Sequence, residues 1–453
     1  MPATDCIIIM ARYPSAGTAK TRLIPALGAV KAAALHEHLV RHTLQTMQRF
    51  QKTQPCELRV HFAGGDAASM HSLFGPGFSC LPQFGESLGD RIVHAVNAAF
   101  QEGMRRVVVI GTDCPALTEL HMQQAFDSLV PNVIALGPAC DGGYYLVGMS
   151  ACRPELFSDI SWGTDCVYQQ TVANAKRAGL TVRALPVLSD IDHPEDLIQC
   201  RKANDGMVGI LPSISPSLLS VIIPTLNEES MIGPLLEDLK RLDSIEVIVA
   251  DGGSVDRTRE VATAAGATVV MCNKGRGRQM NAGAAMASGD VFLFVHADAI
   301  LPEEFYKTVR DILSDPGNAG GAFRLSLKDN QRLLRLVEFG ANLRSRWFQL
   351  PYGDQAIFVR AATFFQMDGF RNWPLMEDYD FCQRLRSQGR IQLASQAIQV
   401  SARRWKQMGI IRTTLINQLC VAGFRLGVSP ETLHRLYVRT RKSMSRTSPQ
   451  RPG

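Results

Sequence analysis

The order of apolar and polar positions divides the chain into two similar halves. Over residues 5–200, short β-rich runs (CIIIMA, ELRVHFA, RRVVVIG, NVIALG, LTVRALPV) alternate with stretches of helical period such as VKAAALHEHLVRHTLQTMQRF. That alternation predicts a mostly parallel sheet covered by helices. It lapses in CRKANDGMVGILPSISPSLLS, residues 200–220, where Pro212, Pro216, glycine and serine interrupt any period. A second series follows: SVIIPTLNE, a helix, IEVIVADGGS, a helix, ATVVMCN, a helix near residues 277–288, DVFLFVHAD, a helix, and strands in GGAFRLSL and QAIFVR. The expected organisation is an α/β domain over residues 1–203, a linker over 204–217, a second α/β domain over 218–428 and a basic C-terminal tail over 429–453.

Length and composition agree. A chain of 453 residues exceeds what one core usually organises, and 46% apolar with 20% charged residues is a globular balance. The eleven cysteines stand singly, without a CxxC pair, which argues against a disulfide framework and a structural zinc site and fits a reducing cytoplasm. The first residues, MPATDCIIIMARYPSAG, read as a strand rather than a targeting segment, and no apolar run approaches membrane-spanning length.

The net charge of +6 is unevenly placed. Residues 403–453 hold eleven Lys or Arg against the single acid Glu431, a local +10 that leaves −4 for the rest. Within that region KQMGIIRTTLINQLCVAGFRLG, residues 406–427, has apolar groups at near-helical spacing. Two readings stay open: a segment resting on the anionic inner face of a membrane that carries a lipid acceptor, or a helix packed on its own domain ahead of a disordered tail. A nucleic-acid partner is not expected.

Candidate chemistry sits at strand ends, where ligands of open α/β sheets bind. In the second half these are PTLNEE (224–229), DGGSVDRT (251–258), HAD (296–298) and MEDYD (376–380). Asp251 can accept hydrogen bonds from a base or ribose, and Gly252 and Gly253 let backbone N–H groups approach a ligand. The plainer alternative is that Asp251 and Asp256 cap a turn and the next helix. Asp298 offers hard oxygen to a divalent metal, Mn or Mg, and His296 is a second candidate ligand better suited to Mn. Lys274, Arg276 and Arg278 border a glycine turn entering a helix, a place for phosphate or simply a solvated basic loop. In the first half ARYPSAGTAKTRL carries Gly17, Lys20 and Arg22 without P-loop spacing.

The segments SVIIPTLNE, DGGSxDxT, GRGRQMNAGA and ED occur in the order seen in family 2 glycosyltransferases of the GT-A fold, which the second half resembles. More narrowly it resembles rSAM/selenodomain-associated transferase 2, an arsenosugar-biosynthesis glycosyltransferase family that shares HAD and RRW. With GTDCPAL, GPACDGGYYLVGM, SWGT and DIDHPEDL, the first half resembles rSAM/selenodomain-associated transferase 1 and, more distantly, nucleotidyltransferases. The resemblance implies two GT-A (Rossmann-like) nucleotide-binding domains in tandem. It assigns Pro224, Asn227, Glu228, Asp251, Gly252, Gly253, Ser254, Lys274, Arg278 and Asn281 to the nucleotide, Asp298 to the metal, Asp378 to the catalytic base of an inverting transfer, and Glu377, Arg404 and Trp405 to the acceptor side. In the first half it implies that Gly17, Lys20 and Arg22 face phosphates, that Asp113 with Asp190 or Asp192 binds a metal, and that Asp141 and Gly142 line the acceptor. The donor is then a nucleotide sugar or an NTP. The acceptor, a small molecule or a lipid, stays open, as does the choice between sugar and nucleotidyl transfer in the first half, the latter making the donor that the second half uses. The alternative from a different class is a non-catalytic nucleotide-binding adaptor at a membrane surface.

Overall fold

The computed structural model describes residues 5–75, 77–203, 209–242, 244–329, 331–403, 405 and 409–445. They form two compact units, Met1–Asp192 and His193–Gly453, each built on one sheet.

The first sheet has seven strands: β1 (Asp5–Arg12), β2 (Glu57–Ala63), β3 (Ser79–Pro82), β4 (Arg106–Ile110), β5 (Val133–Pro138), β6 (Tyr144–Met149) and β7 (Thr181–Ala184), in the order β3-β2-β1-β4-β6-β5-β7. Only β6 runs against its neighbours. The uninterrupted apolarity of β1 follows from burial on both faces. Because successive strand side chains point opposite ways, Ile7 and Ile9 join Val40, Leu44 and Met47 of the helix Ala29–Thr53, while Cys6 and Ile8 join Ile92 and Val96 of the helix Leu88–Gln101.

The second sheet has eight strands: β8 (Ser215–Thr225), β9 (Ile245–Asp251), β10 (Thr268–Met271), β11 (Gly289–Phe294), β12 (Ala299–Ile300), β13 (Asn318–Leu327), β14 (Phe358–Arg360) and β15 (Arg390–Val400), ordered β10-β9-β8-β11-β14-β13-β15-β12. Strands β10, β9, β8 and β11 are parallel, so the loops after β8, β9 and β11 gather at one edge. One face packs on the helix Glu229–Leu239 through Val221, Ile223 and Val249. The other receives the helix Arg276–Ala285, whose small residues allow close seating. A Cβ on Gly283 would lie 2.5 Å from Ile222 Cγ2, and one on Gly277 would lie 2.4 Å from the Arg371 carbonyl oxygen.

Two expected boundaries move. Residues 193–203, assigned from sequence to the first domain, belong to the second unit. There the Arg201 guanidinium donates to the carbonyls of Ala285 and Ala287 at the end of the Arg276–Ala285 helix, a favourable place for a cation. The expected tail from 429 includes a helix, Pro430–Ser445, with Leu433 buried near Gly423. Of the expected linker, residues 204–208 lie outside the described residues and 215–217 already belong to β8.

Candidate active site

The loops after β8 and β9 are laced to each other. Asn227 takes a left-handed backbone (φ 55°), its N–H donates to Ser254 Oγ at 2.9 Å, and its Oδ1 accepts from the Val255 N–H at 2.9 Å. The Glu228 N–H donates to Thr258 Oγ1 at 2.8 Å, and the Glu229 N–H donates to Asp256 Oδ2 at 3.2 Å. Asp251 is fully buried inside this lacing. Its Oδ1 accepts from the N–H groups of Gly253 and Ser254, and its Oδ2 accepts from the hydroxyls of Thr225 and Ser254. A carboxylate has about four acceptor positions, and those of Asp251 are taken by its own turn and by Thr225 of β8, an arrangement closer to the capping alternative than to direct contact with a base or ribose. Asn281, also expected on the nucleotide, donates to the Phe370 carbonyl and accepts from the Phe370 N–H, pinning its helix to a distant loop. Pro224 sits in β8 opposite Ala250. Gly252 is needed for close approach: a Cβ there would lie 3.1 Å from the Gln279 amide, whose nitrogen donates to the carbonyls of Thr225 and Ala250. Lys274, Arg276 and Arg278 are exposed on the neighbouring turn and helix.

The remaining acids converge at this sheet edge. Asp298 is half-buried, and burial pushes its carboxyl above the ordinary value while Arg403 and Arg276 oppose the shift. Glu228 is raised for the same first reason, with Arg403 at 3.6 Å lowering it and Asp298 adding to the rise. Glu377, at the start of the helix Glu377–Arg386, is pushed up to about 7 by burial and by Asp378, against the pull of Arg276. Asp378 Oδ2 accepts from the Gly353 N–H at 2.7 Å, and its Oδ1 accepts from the Tyr379 N–H at 2.8 Å. His296 lies on the same side: a Cβ on Gly353 would be 3.4 Å from both His296 Nε2 and Asp378 Oδ2.

Fit to a divalent cation follows from this donor set. No cluster of three or more His, Cys, Asp or Glu groups forms a metal cage among the described residues. Asp298 and Glu228 are nevertheless both raised by burial, and Glu228 Oε2 is buried with no hydrogen bond among the described residues, only the Arg403 ion pair at 3.6 Å, so anionic oxygen is present that a cation would further relieve. One or two carboxylates completed by substrate phosphates is how Mg²⁺ is commonly held.

The corresponding edge of the first unit is closed by its own ammonium. Lys20, in a left-handed conformation with φ 48°, places Nζ 2.8 Å from Asp113 and 2.9 Å from Asp192, while Arg22 reaches Asp192 at 3.2 Å. Burial is the largest influence on Lys20 and opposes its charge, yet the two carboxylates hold it above the ordinary lysine value. The expected metal pair is therefore already occupied by a cation, and the expected phosphate-facing lysine is that cation. A resident metal does not fit while Nζ stays there. Gly17, at φ 88°, lies in the loop that delivers Lys20. Asp141 accepts from the Gly143 N–H at 2.8 Å, and Gly142 is demanded by packing, since at φ 92° its Cβ would lie 2.2 Å from the Asp165 carbonyl oxygen.

Arg404 lies outside the described residues. Arg403 is the member of RRW that meets Glu228, and Trp405 is buried with its indole N–H unpartnered among the described residues. Sequence reasoning missed LPYGDQ, residues 350–355. Tyr352 there lies under the Arg344 guanidinium, 3.4 Å from ring centroid to Cζ, and Gly353 donates to Asp378. A glycine between an aromatic and an acid, shortly before a strand, was the available signal.

Residues 46–164 match the family described as "Uncharacterized protein conserved in bacteria (DUF2064)", and residues 220–371 match Glycosyl transferase family 2. Glucosyl-3-phosphoglycerate synthase of Mycolicibacterium smegmatis is 36% identical over 100 residues, 19% of this chain and 33% of that protein. An uncharacterized protein of Methanocaldococcus jannaschii is 29% identical over 141 residues, 28% of this chain and 57% of that protein. The chain thus spans a third to little more than half of these curated relatives. A putative nucleotide-diphospho-sugar transferase from Desulfovibrio desulfuricans, known as a crystal structure, is 37% identical and covers 45% of this chain and 89% of its own, with a TM-score of 0.41. The chain therefore joins a DUF2064 domain to a family 2 glycosyltransferase domain in one polypeptide.

Proposed function

We propose that the second domain moves a glycosyl group from a nucleoside-diphosphate sugar to an acceptor hydroxyl, with Asp378 as general base. The observation that carries this reading is the convergence of Glu228, Asp298, Glu377 and Asp378 with Arg276 and Arg403 at one sheet edge, from segments far apart in sequence. Two backbone N–H groups hold the Asp378 carboxylate and leave acceptor positions on each oxygen. It takes the acceptor's proton as the new C–O bond forms at the anomeric carbon and the bond to the diphosphate breaks, a direct displacement that inverts configuration. Lys274, Arg276 and Arg278 supply positive charge to the phosphates. A divalent metal, Mn or Mg, held by Asp298 with Glu228 beside it, would neutralise charge on the leaving diphosphate. The test is nucleoside-diphosphate release from a panel of nucleotide sugars by the full chain and by Asp298→Asn. Release by wild type that persists undiminished in the variant with Mn²⁺ present would remove Asp298 from the reading.

For the first domain we propose transfer on a phosphate-bearing ligand, supported by Lys20 and Arg22 gathered on Asp113 and Asp192. Pyrophosphate release from an NTP and a sugar phosphate would mark a nucleotidyl transferase that makes the donor for the second domain; release of a nucleoside diphosphate would mark a second sugar transferase.

A further inference from the structure

Two neighbouring helices of the second unit leave an apolar face uncovered. Along Arg332–Phe348, Leu336 (67% exposed), Phe339 (65%), Leu343 (43%) and Trp347 (74%) recur at three-, four- and seven-residue spacing. Along Ile410–Arg425, Ile411 (66%), Leu415 (58%) and Leu419 (68%) recur every fourth residue. The helices meet, and a cleft of about 470 Å³ between their first turns is lined by Leu333, Ile410, Ile411 and Arg412. Isolated exposed apolar residues are ordinary, but a continuous two-helix face marks an interaction surface.

The charge on this face selects its occupant. Arg332, Arg346 and Arg412 are exposed on the two helices. The one acid in their sequences, Glu338, is mostly covered and paired with Arg335 at 2.7 Å. The sequence after residue 429 adds six Lys or Arg against Glu431. A second copy packed by two-fold symmetry would set like charges against each other around the rim. An anionic bilayer accepts both components, apolar side chains at the acyl boundary and arginines among the headgroups. We propose that the exposed faces of Arg332–Phe348 and Ile410–Arg425 dock on an anionic lipid surface.

The same helix touches the site. Phe424 packs on the rings of Trp373 and Tyr379, and Arg425 Nε donates to the Tyr379 hydroxyl at 2.6 Å, one residue beyond Asp378. A helix docked by its Ile411, Leu415 and Leu419 face thus backs with its other side onto Tyr379, the residue after Asp378.

The test is co-sedimentation of the full chain with phosphatidylcholine vesicles and with vesicles also containing phosphatidylglycerol. Binding is expected only to the second. Phe339→Glu with Leu415→Glu should reduce it at least about tenfold, and each of Arg332→Ala and Arg412→Ala about fivefold. All four positions are exposed, so melting temperatures should be unchanged. Absence of binding to the anionic vesicles, or binding indifferent to Phe339→Glu with Leu415→Glu, overturns the proposal. So does a dimer by light scattering that this double variant dissociates, which would assign the face to a second copy.

Discussion

At corresponding sheet edges the two domains balance their carboxylates in opposite ways. After β4, Asp113 has the Lys20 ammonium at 2.8 Å and shares it with Asp192 at 2.9 Å. After β11, Asp298 makes no ion pair among the described residues, and Glu228 reaches Arg403 only at 3.6 Å. Burial raises both Asp298 and Glu228 while Arg403 opposes the rise, so their charge is only partly compensated. An acid at a strand end is thus not in itself a metal site. The distance to the nearest cation of the same chain decides how much negative charge remains for a ligand.

The largest expected effect separates the two edges by function. Asp378→Asn should lower sugar transfer by about 10²–10⁴ with donor binding retained, as loss of a general base typically does. Asp113→Asn, in the first domain, should leave that rate unchanged. Equal losses in the two variants, read by nucleoside-diphosphate release, would mean the edges act as one.

A second experiment probes another buried acid beside the second edge. Glu195 is 5% exposed and pushed to about 7, first by burial, with Asn273 and Arg278 opposing. A carboxyl raised on folding binds its proton more tightly in the native state, so its stability contribution is present below the ordinary carboxyl range and is lost as pH rises through about 7. The loss is roughly 3 kcal/mol at most. Urea unfolding should show wild type weakening across this window relative to Glu195→Gln; parallel curves would show that Glu195 keeps an ordinary acidity.

The smallest effect converts one edge into the other. Lys20→Met leaves Asp113 and Asp192 without their shared cation, at a cost of about 2 kcal/mol, between exposed and buried pairs because both acids are partly hydrated. Mn²⁺ should then raise the melting temperature of the variant more than that of wild type, since a ligand of the native state stabilises it. An equal Mn²⁺ response in the two proteins would mean Lys20 does not occupy the cation position.

What was legible follows from which forces are local. Strands β1, β4, β9 and β11 announce themselves because burial on both faces demands continuous apolar runs. β15, RIQLASQAIQV, hides because several of its positions are polar and part-exposed, and β6 hides behind the glycine turn that precedes it. Asp298, Asp378 and Lys20 could be singled out by their place after strands or before helices. The work of Asn281 could not, because its partner Phe370 is 89 residues away. Gly353 escaped for the same reason, its link to Asp378 being made only by the fold.

The lacing of the loops after β8 and β9 has a consequence for affinity. Each loop's N–H groups are satisfied by the other's side chains, so neither can open alone, and the backbone entropy of forming that wall is lost during folding. If the proposed donor binds there, it meets a wall already ordered and incurs little further ordering cost, which leaves more of its contact energy to appear as binding.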